Sequence, residues 1–175
     1  MFAIAPADPD NAESRALLAE LGAALAAMTG SDGAASFDAA DVRGERACFL
    51  VARAADGDLA GCGALRPLGG DVAELKRMYA RPRSGAGRCL LDALERQAAA
   101  FGYAQVWLET RKLNTRAVAF YEKHGYCVIP NYGKYVGRDD AICLGKTLNI
   151  NPAAAHPRSG FLIKCLNQRF SPTST

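Results

Sequence analysis

Between the strand-like run Glu74-Leu75-Lys76-Arg77-Met78-Tyr79 and the helical run Cys89-Leu90-Leu91-Asp92-Ala93-Leu94 lies a short turn, Arg83-Ser84-Gly85-Ala86-Gly87-Arg88. A strand, a small-residue turn and an amphipathic helix, in that order, build an anion site. The first turn of a helix leaves backbone N–H groups unpaired, and the macrodipole adds partial positive charge there. Gly85 and Gly87 carry no Cβ, so ligand oxygens can approach the main chain closely. Arg83 and Arg88 add fixed charge. A Gly-x-Gly pair alone marks only a turn. Its weight comes from the flanking strand and helix, and from a second element about thirty residues downstream.

The rest of the chain reads as one α/β domain. At 175 residues, half of them hydrophobic, it is long enough for a full core, and 22% charged residues argue against wholesale disorder. Phe2 to Ala5, 47–51, 59–65, 71–80, 105–109, 126–129 and 141–148 read as strands. Helices are expected from Asp8-Pro9 to Gly30, from Cys89 to Phe101 with Gly102 as stop, and from Asn114 to Gly125. Residues 30–43 read as a loop with a short helical piece around Phe37. The expected architecture is a mixed, twisted sheet of about six or seven strands flanked by helices.

Charge and cysteines narrow the function classes. A net charge of +3 suits an anionic ligand but is too small and dispersed for nucleic acid. The six cysteines form no Cys-x-x-Cys pair, and only two histidines could join them. A metal site and a disulfide framework are therefore not expected, and a reduced, cytoplasmic chain is. The N-terminus lacks a basic region and a continuous apolar run, and Leu17 to Met28 is too short to cross a bilayer. No membrane partner is expected. Gly145-Lys146-Thr147 does not complete a P-loop, because Asp140 stands at the first glycine position. Leu90 likewise stands where a dinucleotide fingerprint needs its third glycine.

The downstream element is Asn114, then Ala117-x-x-x-Tyr121-x-x-x-Gly125-Tyr126. Together with Glu74, Met78-x-Ala80-x-Pro82 and Gly85-Ala86-Gly87, it resembles the signature of the GNAT superfamily of acyl-CoA-dependent N-acetyltransferases. The resemblance extends more loosely from about residue 2 to residue 148, which sets the domain at 1–148. It implies acetyl transfer from acetyl-CoA to a primary amine by direct attack in a ternary complex, with no metal. The acceptor would be a small-molecule amine or a peptide N-terminus. Still open is a non-catalytic acyl-CoA-binding or regulatory module that kept the fold.

The same resemblance assigns roles. Glu74 is implied as general base, because an ammonium must lose a proton before its nitrogen can attack; a surface ion pair is the bland alternative. Tyr121 is implied as proton donor to the departing thiolate, with packing beside Phe120 as its alternative. Backbone groups of Met78, Tyr79 and Ala80, the turn Arg83-Ser84-Gly85-Ala86-Gly87-Arg88, Asn114 and Phe120 are implied as the CoA site. Glu109, Arg111, Tyr132 and Tyr135 are the acceptor-side candidates, or solvated turn residues. The turn after Pro82 is shorter than the family's loop, and Arg83 stands where its first glycine would fall. Fewer backbone donors follow, which a charge-assisted bond from Arg83 to phosphate would offset. Residues 149–175 depart from the pattern and read as an extension, either flexible or forming an interface such as a homodimer's.

Overall fold

The computed structural model describes residues 1–149 and 163–165. In chain order the elements are β1 (Phe2–Pro6), α1 (Ala12–Thr29), β2 (Cys48–Ala54), β3 (Leu59–Gly69), β4 (Val72–Ala80) and α2 (Ala86–Ala100). They continue with β5 (Gln105–Arg111), α3 (Thr115–Lys123), β6 (Cys127–Ile129), β7 (Ala141–Thr147) and β8 (Ile163–Cys165). Two short 3₁₀ turns, Ala34–Ser36 and Ala39–Val42, occupy the loop around Phe37, and a third spans Gly133–Tyr135. The sheet runs β6-β7-β5-β4-β3-β2-β1-β8. The seven strands expected are present, and β8 adds three residues antiparallel to β1. That pairing is what bears on the C-terminal extension, because residues 150–162 and 166–175 lie outside the described residues.

Strand alternation sorts the core onto the two faces of the sheet. In β2, Leu50 and Ala52 join the cluster around α2, while Phe49 and Val51 join the cluster around α1. The α2 face carries Leu90, Leu91 and Leu94, all fully buried in one cluster with Leu65, Leu75, Val106 and Leu144. Each such leucine contributes about 1.5–3 kcal/mol of apolar burial. The α1 face is smaller, with Leu17 packed among Val42, Phe49, Val51 and Cys62. Burial pushes the thiols of Cys48 and Cys62 up to about 12, which keeps both protonated and inert.

Two helix starts differ from the sequence expectation. Asn11, rather than Asp8, caps α1, its Oδ1 accepting from Ser14 N–H at 2.8 Å. Asp8 instead accepts from Asp10 N–H and from Arg43, which holds the connection before the helix. The second helix begins at Ala86, about one turn before Cys89, so the glycine turn feeds directly into it.

The central irregularity is in β4. Its pairing with β3 shifts register between Cys62 and Ala64, where Arg77 and Met78 bulge and Arg77 takes φ 51°. On its other edge β4 pairs in parallel with β5 only over Val72–Glu74 against Gln105–Trp107. Beyond Glu74 the two strands diverge. Gly61 accommodates the bulge, because a Cβ there would run into the Tyr79 carbonyl oxygen. We predict that Gly61→Ala destabilises the fold by about 1–3 kcal/mol in urea denaturation, the range of overpacking. Gly44→Ala, where nothing lies within 4 Å, is the control and should change stability little. Equal effects of the two substitutions would contradict the close approach.

Candidate active site

The divergence of β4 and β5 opens a cleft of ≈ 330 Å³. Its walls come from the C-terminal half of α1, the bulged part of β4, the end of β5, α3, and the turn that holds Lys134 and Tyr135. Met78, Glu109, Arg111, Asn114, Tyr121 and Tyr135 all line it. Residues spread over much of the sequence are thus brought to one place. A second groove of ≈ 510 Å³ runs along Leu18, Gly22 and Ala26 of α1, facing Phe37 and Arg77. Its lining among the described residues is mostly small and apolar with Asp32 as the one carboxylate, so the acid–base groups converge in the β4–β5 cleft.

The glycine turn lies at the start of α2. Pro82 and Arg83 form a tight turn closed by Ser84 N–H to Arg81 C=O at 3.1 Å, and Arg83 takes φ 61°. That left-handed position ordinarily favours glycine. Gly85 follows at φ 75° as the N-cap of α2 and supplies no side-chain cap. Ser84 Oγ accepts from Ala86 N–H at 3.2 Å. Arg83 and Arg88 are exposed beside this helix start, Arg88 lying 3.7 Å from Asp92. A Cβ on Gly87 would sit 3.5 Å from the Phe120 ring and 3.7 Å from Ala80 Cβ. Gly87, Ala80 and Phe120 therefore share one corner. These features fit an extended ligand whose anionic end meets α2 and whose other end enters between β4 and β5.

Asn114 caps α3 with its Oδ1, which accepts from Ala117 N–H at 3.1 Å. The cap orients the helix so that Tyr121 reaches the cleft. The Tyr121 ring packs edge-on against Phe120 and Tyr126, at centroid distances of 5.3 and 5.4 Å. Burial raises its phenol pKa, so the hydroxyl keeps its proton at neutral pH. Tyr79 points the other way: its hydroxyl donates to Glu20 Oε2 at 3.2 Å on α1. Only the main chain of Tyr79 can serve a ligand in the β4–β5 gap.

Glu74 is placed differently from a base open to an acceptor. It is 1% exposed and is not among the residues lining the cleft. Arg66 donates to its Oε2 through Nε at 2.8 Å and Nη2 at 2.7 Å. Tyr132 donates its hydroxyl proton to Oε1 at 3.0 Å, and Lys76 Nζ lies 3.6 Å from the same oxygen. Tyr132, an acceptor-side candidate by sequence, is thus a partner of Glu74, its ring packed against Trp107 and Tyr135. Arg66 also pairs with Asp41, completing a charge network behind the cleft wall.

Glu109 is the carboxylate that does line the cleft. Burial raises its pKa above the usual carboxylate range, against the opposing pull of Lys76, Arg111 and Arg138. Lys76 donates to the Tyr135 hydroxyl at 2.8 Å, and burial lowers its pKa. Lys76, Lys134 and Arg138 are cleft residues that sequence reading missed. For Lys76 a signal existed, since alternation places it on the face of Glu74 and Met78. For Lys134 and Arg138 there was none, because a loop has no period.

Comparisons with known proteins bear on the family and the fold. The acetyltransferase (GNAT) family matches residues 29–126. An "IAA acetyltransferase" of Azospirillum brasilense is 38% identical over 91 residues, covering 50% of this chain and 59% of that protein. The chain thus matches little more than half the length of that relative. A solved structure from Klebsiella pneumoniae, assigned by name to the acyl-CoA N-acyltransferases, is 27% identical with a TM-score of 0.71. The match covers 85% of this chain and 98% of that one. A GNAT family acetyltransferase from Elizabethkingia anophelis, solved with acetyl-CoA bound, shares the fold at 17% identity and a TM-score of 0.61. That match covers 84% of this chain and 98% of its counterpart. Among the described residues there is no cluster of metal-binding side chains and no helix long and apolar enough to cross a membrane.

The raised pKa of Glu109 carries a stability consequence. A carboxyl whose folded pKa exceeds its unfolded value stabilises the fold at low pH, and that contribution is lost as pH rises through the folded value. Glu109→Gln is therefore predicted to raise the melting temperature at pH ~7.5, with the gain vanishing below the ordinary carboxylate range. A gain that persists unchanged at pH ~3.5, or a loss at pH ~7.5, would contradict the desolvation of Glu109.

Proposed function

The chain belongs to the GNAT family of acetyltransferases, and on that premise we propose that it transfers acetyl from acetyl-CoA to a primary amine by direct attack. The observation that carries the reading is the convergence of Glu109 and Tyr121 on one cleft where β4 leaves β5. The residues suited to hold CoA are the main chain of Met78–Ala80, Asn114 and Phe120 toward the thiol end. The turn Arg83–Arg88 and the start of α2 suit its phosphates. When bound, the thioester supplies an acetyl group activated toward nitrogen; in the exchange a C–N bond forms and a C–S bond breaks.

The protein's part is the movement of two protons. Glu109, in place of Glu74, accepts the proton of the acceptor's ammonium, because it faces the cleft and burial strengthens it as a base. Glu74, held by Arg66 and Tyr132, fixes the strand that carries Lys76 and Met78. Tyr121 gives its hydroxyl proton to the departing sulfur. Its raised pKa keeps that proton in place until the leaving group develops charge. The rings of Phe120 and Tyr126 hold the Tyr121 ring in place for the transfer.

The test is acetyl-CoA consumption across an amine panel, with CoA binding followed by thermal shift. Tyr121→Phe should lower kcat and kcat/KM together by about 10²–10⁴-fold while leaving CoA affinity nearly unchanged. Glu109→Gln should lower kcat/KM and remove the rise of rate with pH that deprotonation of Glu109 produces. The Glu74→Gln variant should chiefly lose stability. CoA binding without turnover of any amine would favour a non-catalytic module, and no thermal shift at millimolar CoA would sink the assignment.

A further inference from the structure

The acceptor end of the cleft is dominated by positive charge. Arg111 and Arg138 both pair with the single carboxylate of Asp140. Lys76 and Arg66 are balanced by Glu74 and Asp41. Lys134 pairs with no carboxylate among the described residues, and its ammonium lies 5.6 Å from the centre of the Tyr135 ring. Lys76 lies 5.5 Å from the centre of the same ring, so two ammonium groups flank one tyrosine. Arg77 donates to main-chain carbonyls, those of Asp32 at 3.1 Å and Gly33. After these pairings, Lys134 and one guanidinium on Asp140 are left without a carboxylate of their own among the described residues, while Arg77 feels the carboxylate of Asp32. Among the described residues, Glu109 is the one acidic side chain lining the cleft.

We propose that the acceptor is a small amine that itself carries a carboxylate, an α-amino acid being the simplest member of the class. This rests on the acetyltransferase reading above and names its substrate. The ammonium of such a molecule meets Glu109, and its carboxylate meets the cationic side formed by Lys134, Arg138 and Arg111. Lys76 feels both Lys134 and Glu109, and all three line the one cleft. Polyamines and aminoglycosides bring several positive charges, and only one of them can be met by Glu109. The others would face the uncompensated cations.

The experiment compares the twenty α-amino acids with their α-amides, and with spermidine and kanamycin, in acetyl-CoA turnover. The free acids should be preferred over their amides by at least tenfold in kcat/KM. Lys134→Glu should reduce the acid-to-amide ratio by tenfold or more, and Lys134→Arg should restore it. A readout independent of turnover is calorimetric titration of the N-acetyl amino acids and N-acetyl amino acid amides into the CoA-saturated protein. The acids should bind, the amides should bind at least tenfold more weakly, and Lys134→Glu should abolish the difference. Equal use of acids and amides, preference for spermidine or kanamycin, or failure of every N-acetyl acid to bind would each overturn the proposal. The first two would leave amine acetylation standing. Absence of turnover with any amine, alongside selective binding of the acids, would instead overturn the catalytic reading and support the charge preference.

Discussion

Strand β4 parts from β5 after Glu74, and the cleft exists because of that parting. Parallel strands ordinarily bury their shared edge in continuous hydrogen bonding. Here pairing stops at Glu74 and Trp107, and the bulge at Arg77–Met78 turns β4 away. A sheet edge is thereby opened in the middle of the domain, where a ligand can use main-chain groups that a strand would otherwise take. Compensation comes from elsewhere in the fold. Gly61 admits the bulged backbone, and Arg81 ties the end of β4 to Glu20 of α1 through two hydrogen bonds at 3.0 and 2.7 Å.

The buried charges behind the cleft serve the same end. Glu74 would be expensive to bury alone, and Arg66, Tyr132 and Lys76 together satisfy it. Removing one partner of a buried pair typically costs about 3–5 kcal/mol, because the other charge is stranded. The network thus fixes Lys76 at the cleft wall beside Glu74, and the 2.8 Å bond from Lys76 fixes Tyr135 in turn. It separates two carboxylates by environment: Glu74 is held by its partners, while Glu109 is desolvated and open to the cleft. On the proposed reading, that division gives Glu109 the acid–base work and Glu74 a structural role.

Much of this was legible in the sequence, and for identifiable reasons. The strand–turn–helix around Gly85 and the capped helix from Asn114 to Gly125 are local signals, written in consecutive residues. The role of Tyr121 was implied by the family motif that this helix carries, not by its spacing. The resemblance made Glu74 the base and Glu109 an acceptor-side residue, and nothing in the neighbouring sequence showed that Glu74 would be enclosed while Glu109 faced the cleft. What divides them is Arg66 on β3 and Tyr132 in a distant loop, contacts set by register and chain return. The start of α1 was misplaced because Asp8 and Asn11 are both good caps, and Arg43, far along the chain, engages the first of them.

A crystal structure of the protein with CoA tests the central claim most directly. The account predicts pantetheine density in the gap between β4 and β5 beyond Glu74, phosphates at the start of α2, and the sulfur in contact with the Tyr121 hydroxyl. Glu109 should face the open space beyond the sulfur, with Glu74 still bound to Arg66. A complex in which β4 and β5 close together, or in which CoA lies away from Tyr121 along the outer groove of α1, would contradict it.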